Sequence, residues 1–231
     1  MNRISSLAAL ISVAALLGLG SAADASVVIP LTLDDADSGW TVTVPNDVHF
    51  DVVVDAIQEG AEGFVVIEIS KEFTEGLTGG GLGPPTLPSV EFGFDQVGSD
   101  ANTVPRIVIA DEIITNSTGT DWVAFSWFLL DGGNVSFNSA LSSSFSVSPE
   151  FTTITFLDSD TQLDATGGAG ILSGGPSWSP GGLDGDLVID IDVATEPGLT
   201  FVLKELPVPV PEPSVLTMLG LGGLALLRRR C

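Results

Sequence analysis

Between residues 26 and 205 the hydrophobic and polar positions alternate with a period of two, the spacing of strands that turn one face to a core. WTVTV (40–44) is a short example. In DVHFDVVVD (47–55), Val48, Phe50, Val52 and Val54 fall on one face and Asp47, His49, Asp51 and Asp55 on the other. DLVIDIDV (186–193) sets Leu187, Ile189, Ile191 and Val193 against Asp186, Asp190 and Asp192. Further runs predict strands over 27–33, 63–72, 105–115, 122–130, 134–137, 144–147, 151–157 and 199–205. No stretch here has the period of an amphipathic helix; DAIQEGAE (55–62) has room for one turn before Gly60 stops it. Short strands joined by Gly, Pro, Asn and Asp clusters predict an all-β domain, an antiparallel β-sandwich of jelly-roll type, over 26–206.

Two segments break the alternation. GLTGGGLGPPTLPS (76–89) and TGGAGILSGGPSWSPGGLDGD (166–186) read as long loops, a length that goes with function or mobility. Trp178 lies in the second, between serines and prolines. Its two readings are a partly exposed platform for a sugar ring and a side chain folded back over one end of the core.

The ends of the chain follow other patterns. Behind Arg3, residues 4–20 are apolar and uncharged, and small residues then lead to Ala23-Asp24-Ala25. These are the three parts of a secretory signal peptide, 1–25, with cleavage expected between Ala25 and Ser26. At the other end LPVPVPEP (206–213) alternates proline with small apolar residues and reads as a stiff spacer from Pro207 to Pro213. An apolar run over 215–227 follows, then Arg228, Arg229 and Arg230. As a helix that run spans roughly 20 Å, short of a bilayer core of about 30 Å, and Gly220, Gly222 and Gly223 dilute it. The arginines would stay on the cytoplasmic side.

Charge narrows the partners. Of the 30 acidic residues only Asp24 and Glu212 lie outside 26–210, where the sole bases are Lys71, Arg106 and Lys204. Such a field repels nucleic acid and anionic lipid and draws in cations. The mean hydropathy of +0.44 comes largely from the two ends rather than from this acidic middle. The single cysteine, Cys231, rules out a disulfide within the chain, so the domain must rely on its core.

The order of parts from 210 to 231 resembles the PEP-CTERM sorting signal of Gram-negative bacteria: Pro211-Glu212-Pro213, an apolar helix, and a terminal arginine cluster. Proteins of that family pair the tag with an amino-terminal signal peptide. The resemblance implies recognition by an exosortase, a membrane transpeptidase that cuts near the tripeptide and releases or transfers the exported part. It implies a transient anchor in the inner membrane, 214–231, and a destination in the cell envelope or outside the cell. The prolines would keep the backbone extended on either side of Glu212, the form a transpeptidase needs. Cys231 departs from the pattern, either as a lipidation site or as a residue lost with the tag. ITNSTGTDWVAFSWFLL (114–130) is similar to a segment of such ectodomains, an I-x-N-x-T-G turn before a tryptophan-led strand, which implies a shared β-sandwich type. Asn116 and Gly119 suit a turn, and Trp122, Phe125 and Phe128 are expected to fill the core.

Candidate chemistry is sparse. One histidine, His49, on the polar face of a strand, and no G-x-S-x-G elbow give nucleophilic catalysis little to work with. Zinc would need more His or Cys than the domain has. Carboxylate pairs for glycoside hydrolysis are available only through abundance. Calcium has a weak candidate in GGLDGDLVIDID (181–192), where Asp184 and Asp186 could supply oxygen ligands, and a weaker one in Asp34, Asp35 and Asp37. The reading is an exported, non-catalytic structural or adhesive protein of the envelope or the exopolysaccharide matrix. The alternatives are a calcium-assisted carbohydrate-binding module using Trp178, and an envelope glycosidase.

Overall fold

A computed structural model describes residues 26–33, 36–45, 48–52, 63–78, 86–181 and 186–211. Among these the chain forms β1 (Ser26–Leu33), β2 (Ala36–Pro45), β3 (Val48–Val52), β4 (Val65–Phe73), β5 (Val90–Gln96), β6 (Arg106–Asn116), β7 (Trp122–Leu130), β8 (Val135–Phe137), β9 (Thr153–Leu157), β10 (Gln162–Ile171), β11 (Leu187–Ile191) and β12 (Thr200–Pro209). Two short 3-10 turns, Asp100–Asn102 and Leu141–Ser144, are the helical elements among the described residues. No helix there is long and apolar enough to cross a membrane.

The strands form a seven-stranded sheet, β1-β2-β5-β12-β7-β10-β9, and a five-stranded sheet, β3-β4-β6-β11-β8. Alternation explains why both have a dry face. Trp40, Val42 and Val44 of β2, Phe92 and Phe94 of β5, Phe201 and Leu203 of β12, and Phe125 and Trp127 of β7 are buried on the large sheet. Val65, Ile67 and Ile69 of β4, Ile107 and Ile109 of β6, and Leu187 and Ile189 of β11 are buried on the small one. All belong to one continuous core, so the two sheets turn their apolar faces to each other. Burying each such side chain contributes roughly 1.5–3 kcal/mol, and the aromatic residues add edge contacts, as between Phe73 and Trp122 at 5.1 Å.

The pairing departs from an all-antiparallel arrangement at one place: β4 and β6 are parallel. The chain leaves the small sheet after β4, passes through β5 in the large one, and returns beside β4 running the same way. The second sheet is therefore mixed.

Other departures have local causes. Residues 144–147 form no strand; the 3-10 turn ends at Ser144, and Phe145 and Val147 are buried from irregular backbone. β10 contains three glycines and shows no plain alternation, whereas β5 does alternate, with Phe92, Phe94 and Gln96 buried and Gly93 in the outward phase. In β7 the core positions are Trp122, Phe125, Trp127 and Leu129, while Phe128 is only half-buried. Ala124 pairs with Val208 but Trp122 with Pro209, which leaves Val123 as an extra residue against β12. This bulge brings Trp122 onto the face of Phe125, and beyond it the strict period of two selects Trp127 over Phe128.

The proline-rich stretch from Pro207 is not all spacer. Pro207, Val208 and Pro209 continue β12 and pair with Phe125, Ala124 and Trp122. β5 stops pairing with β12 at Glu205. The prolines thus occupy a segment with a neighbour on one side only, where a strand tolerates a missing N–H.

Candidate functional site

The unusual chemistry of this molecule is inside its core. In VVIEISKEF the inward positions of β4 are Val65, Ile67, Ile69, Lys71 and Phe73, so Lys71 takes a slot that alternation assigns to an apolar side chain. In β12 the same logic puts Glu205 inward after Phe201 and Leu203. A bulge brings in the third member. Glu68 pairs with Ala110, but Ser70 pairs with Ile113, so β6 carries one residue more than β4 across this step. Before it Ile107 and Ile109 face the core; after it Glu112, Ile114 and Asn116 do. Bulges re-aim side chains in this way, often beside functional groups.

Lys71, Glu112 and Glu205 meet between the sheets. The side chains of Lys71 and Glu205 are 0 % exposed and that of Glu112 is 1 % exposed. Lys71 Nζ donates a hydrogen bond to Glu112 Oε1 and stands in ion-pair contact with Glu205 Oε2. Glu112 Oε2 has no hydrogen-bond partner of its own. Nζ also lies 5.7 Å from the centroid of Phe92, a cation–π contact on the large sheet. Burial pushes the Glu205 carboxyl well above its ordinary value, the neighbouring Glu112 pushes it further, and Lys71 only partly offsets them. A protonated Glu205 leaves one ammonium and one carboxylate, the neutral combination that a dry interior tolerates best. The arrangement can pass a proton between an amine and a carboxylate with a second, neutral carboxyl in contact. External substrate cannot reach it.

No motif marks these three residues in the sequence. The signal lay in the alternation, since Lys71 and Glu205 occupy the apolar phase of their strands. Glu112 is out of phase with Ile107 and Ile109, and only the bulge brings it inward.

The sequence-predicted positions fall elsewhere. Trp178 is not a platform: it is 1 % exposed. Its backbone pairs with Ile114 through bonds of 2.7 and 2.8 Å, and its ring packs on Phe151 at 5.0 Å, Phe125 at 5.6 Å and Trp127 at 5.8 Å. The loop folds back because an indole gains far more in this aromatic cluster than in water. Ser26 opens β1 and is exposed, while Ala25 lies outside the described residues. Pro211 is exposed two residues beyond β12; Glu212, Pro213, Arg228, Arg229, Arg230 and Cys231 lie outside the described residues. Asp186 is exposed just before β11, and Asp184, like Asp34 and Asp35, lies outside them. No group of three or more His, Cys, Asp or Glu able to hold a metal occurs among the described residues. The backbone of His49 pairs with Ser70 in the β3–β4 ladder.

The turn after β6 is a built structure. Asn116 Nδ2 donates to the carbonyls of Thr120 at 2.9 Å and Ile171 at 3.2 Å, and its Oδ1 accepts from the Thr118 N–H and hydroxyl at 3.1 and 2.8 Å. Gly119 takes a positive φ of 78°. These bonds close an Asx turn beside Trp122, whose Nε1 donates to Thr118 Oγ1 at 3.4 Å. On the surface, a solvent-open cleft includes Arg106, Asn134, Asp190 and Asp192. Its cation is already engaged, with Arg106 Nε donating to Asp190 Oδ1 at 2.6 Å.

Taken by fold and site, the molecule is a two-sheet β protein with an ionic cluster sealed in its core. Comparison with known protein families, with curated proteins and with solved structures finds no match.

Proposed function

We propose that this chain is an exported structural or adhesive protein of the cell envelope or exopolysaccharide matrix, a β-sandwich ectodomain with jelly-roll-like crossings between its sheets. On this reading a signal peptide ending at Ala25 directs export, and an exosortase processes the chain at Pro211-Glu212-Pro213 while the segment ending in Arg228, Arg229 and Arg230 holds it at the inner membrane. The observation that best supports the reading is the junction at the end of β12. The strand pairs through Pro209, Val210 N–H bonds to the Asp121 carbonyl at 2.8 Å, and Pro211 is exposed. A cutting enzyme would meet the exposed Pro211 directly beside a folded domain. The acidic exterior suits a hydrated matrix component, since like charges keep such chains apart. The main activity of this protein is therefore read as mechanical, not catalytic.

The test replaces Pro211, Glu212 and Pro213 with Ala and follows the protein through cell fractionation. The proposal expects unprocessed protein to accumulate in the inner membrane. Unchanged processing and location of the variant would contradict it.

A further inference from the structure

Lys71, Glu112 and Glu205 are more than an ion pair that happens to be buried. Three features converge on a reaction. The amine and the Glu205 carboxyl are in direct contact with no solvent between them. A second carboxyl, Glu112, is hydrogen-bonded to the same nitrogen. The strands that carry them belong to opposite sheets, so the partners are fixed by the fold and not by side-chain diffusion. Groups fixed in this way react as if at very high local concentration, with effective molarities of about 10⁵ M or more.

We infer that Lys71 Nζ and Glu205 Cδ become joined in an intramolecular isopeptide bond, with Glu112 as the proton carrier. Glu112 takes a proton from the Lys71 ammonium. The freed amine attacks Cδ of the protonated Glu205 carboxyl, and a C–N bond forms. Glu112 then relays a proton from nitrogen to a departing hydroxyl, the C–O bond breaks, and water leaves. Ammonium, carboxylate and carboxylic acid become one amide, one water and a protonated Glu112. Charge and protons balance, and no oxidant or other reactant is needed. Burial favours each part: it keeps Glu205 neutral, makes a buried ammonium costly, and denies the amide the water that would hydrolyse it.

The bond would tie the two sheets together at one point, on the strand that runs out to Pro211. The inference does not depend on export or sorting, and its test separates the two. Full-length protein is purified, shown to be β-folded by circular dichroism, and weighed intact under denaturing conditions. Its mass should be lower by one water than that of the same chain carrying Lys71→Met, after correction for the substitution. Trypsin should no longer cut after Lys71, and tandem mass spectrometry should place the link between Lys71 and Glu205. Glu112→Gln, which keeps the shape but cannot carry the proton, should fold and show the unshifted mass. Folded wild-type protein of full mass, cut normally after Lys71, would overturn the inference. So would a water loss mapped to another site, including a link to Glu112 itself.

Discussion

Lys71 is held by charges that solvent does not reach, so replacing it is felt in stability and in pH dependence. Lys71→Met keeps most of the side-chain volume but leaves Glu112 and Glu205 facing each other in the core. Removing one partner of such a group costs about 3–5 kcal/mol, to be read as a lower urea midpoint. Glu205 already has its carboxyl raised above the ordinary value of 4.5, and Lys71 is the group that restrains the shift. A raised value in the folded state gives stability that is full below the unfolded-state value and lost as pH climbs through the folded one. Lys71→Met should therefore lose stability progressively as pH rises above the ordinary carboxylate range. A urea series across pH that is flat over that window would contradict this assignment. At this scale the sequence was legible where side chains obeyed the alternation and misleading where they did not. Among its Ser, Pro and Gly neighbours Trp178 had two readings, and the aromatic cluster decides for the one folded back onto the core. Nothing next to Lys71 in the sequence marks its burial, and lysines almost always stay in water.

The strand elements were legible because alternation is written residue by residue, whereas bulges are properties of a pair of strands. β1, β2, β4, β6, β7, β11 and β12 all lie where the period of two predicts them, with ends shifted by a few residues. β10 was lost in a glycine-rich stretch, and the reason is specific. Thr166 pairs with Ala124 and Ile171 with Trp122, so four residues of β10 bulge out against one of β7. Gly170 sits there with a φ of 75°, and a Cβ on it would lie 2.0 Å from the Trp122 carbonyl oxygen. Gly170→Ala must therefore distort β7 as well as strain its own backbone, a strain of about 1–3 kcal/mol by itself. Gly119 has a similar φ of 78° but open space around its missing Cβ. Gly119→Ala should cost only its backbone share, about 1 kcal/mol. Thermal denaturation of the two variants should rank Gly170→Ala well below Gly119→Ala; equal midpoints would mean that the close approach at the bulge is not a real constraint. The parallel pairing of β4 and β6 was beyond the sequence for a different reason. It depends on which sheet β5 joins, a choice settled by the packing of Phe92 and Phe94 on the large sheet.

At the scale of the whole molecule, charge and connectivity point the same way. Lys71, Arg106 and Lys204, the bases of the 26–210 region, are all engaged with acids: Arg106 with Asp190 at 2.6 Å, Lys204 with Glu91 at 2.8 Å, and Lys71 in the core. The 28 acids of this region outnumber its three bases and keep its net charge strongly negative. β12 lies between β5 and β7 near the middle of the large sheet, carries Glu205 inward, and leads within two residues of its end to Pro211. A pull on the carboxyl end would enter the fold through this strand. It would be opposed by ladders on both sides as far as Glu205 and by the contact with Lys71 across the core. Such a strand suits a protein that is tethered. The most direct measurement is to define both ends of the mature protein recovered from the cells that make it, by peptide mass spectrometry. The account predicts a first residue of Ser26 and a last residue at or next to Pro211-Glu212-Pro213. A mature chain that keeps Arg228, Arg229 and Arg230 would contradict it.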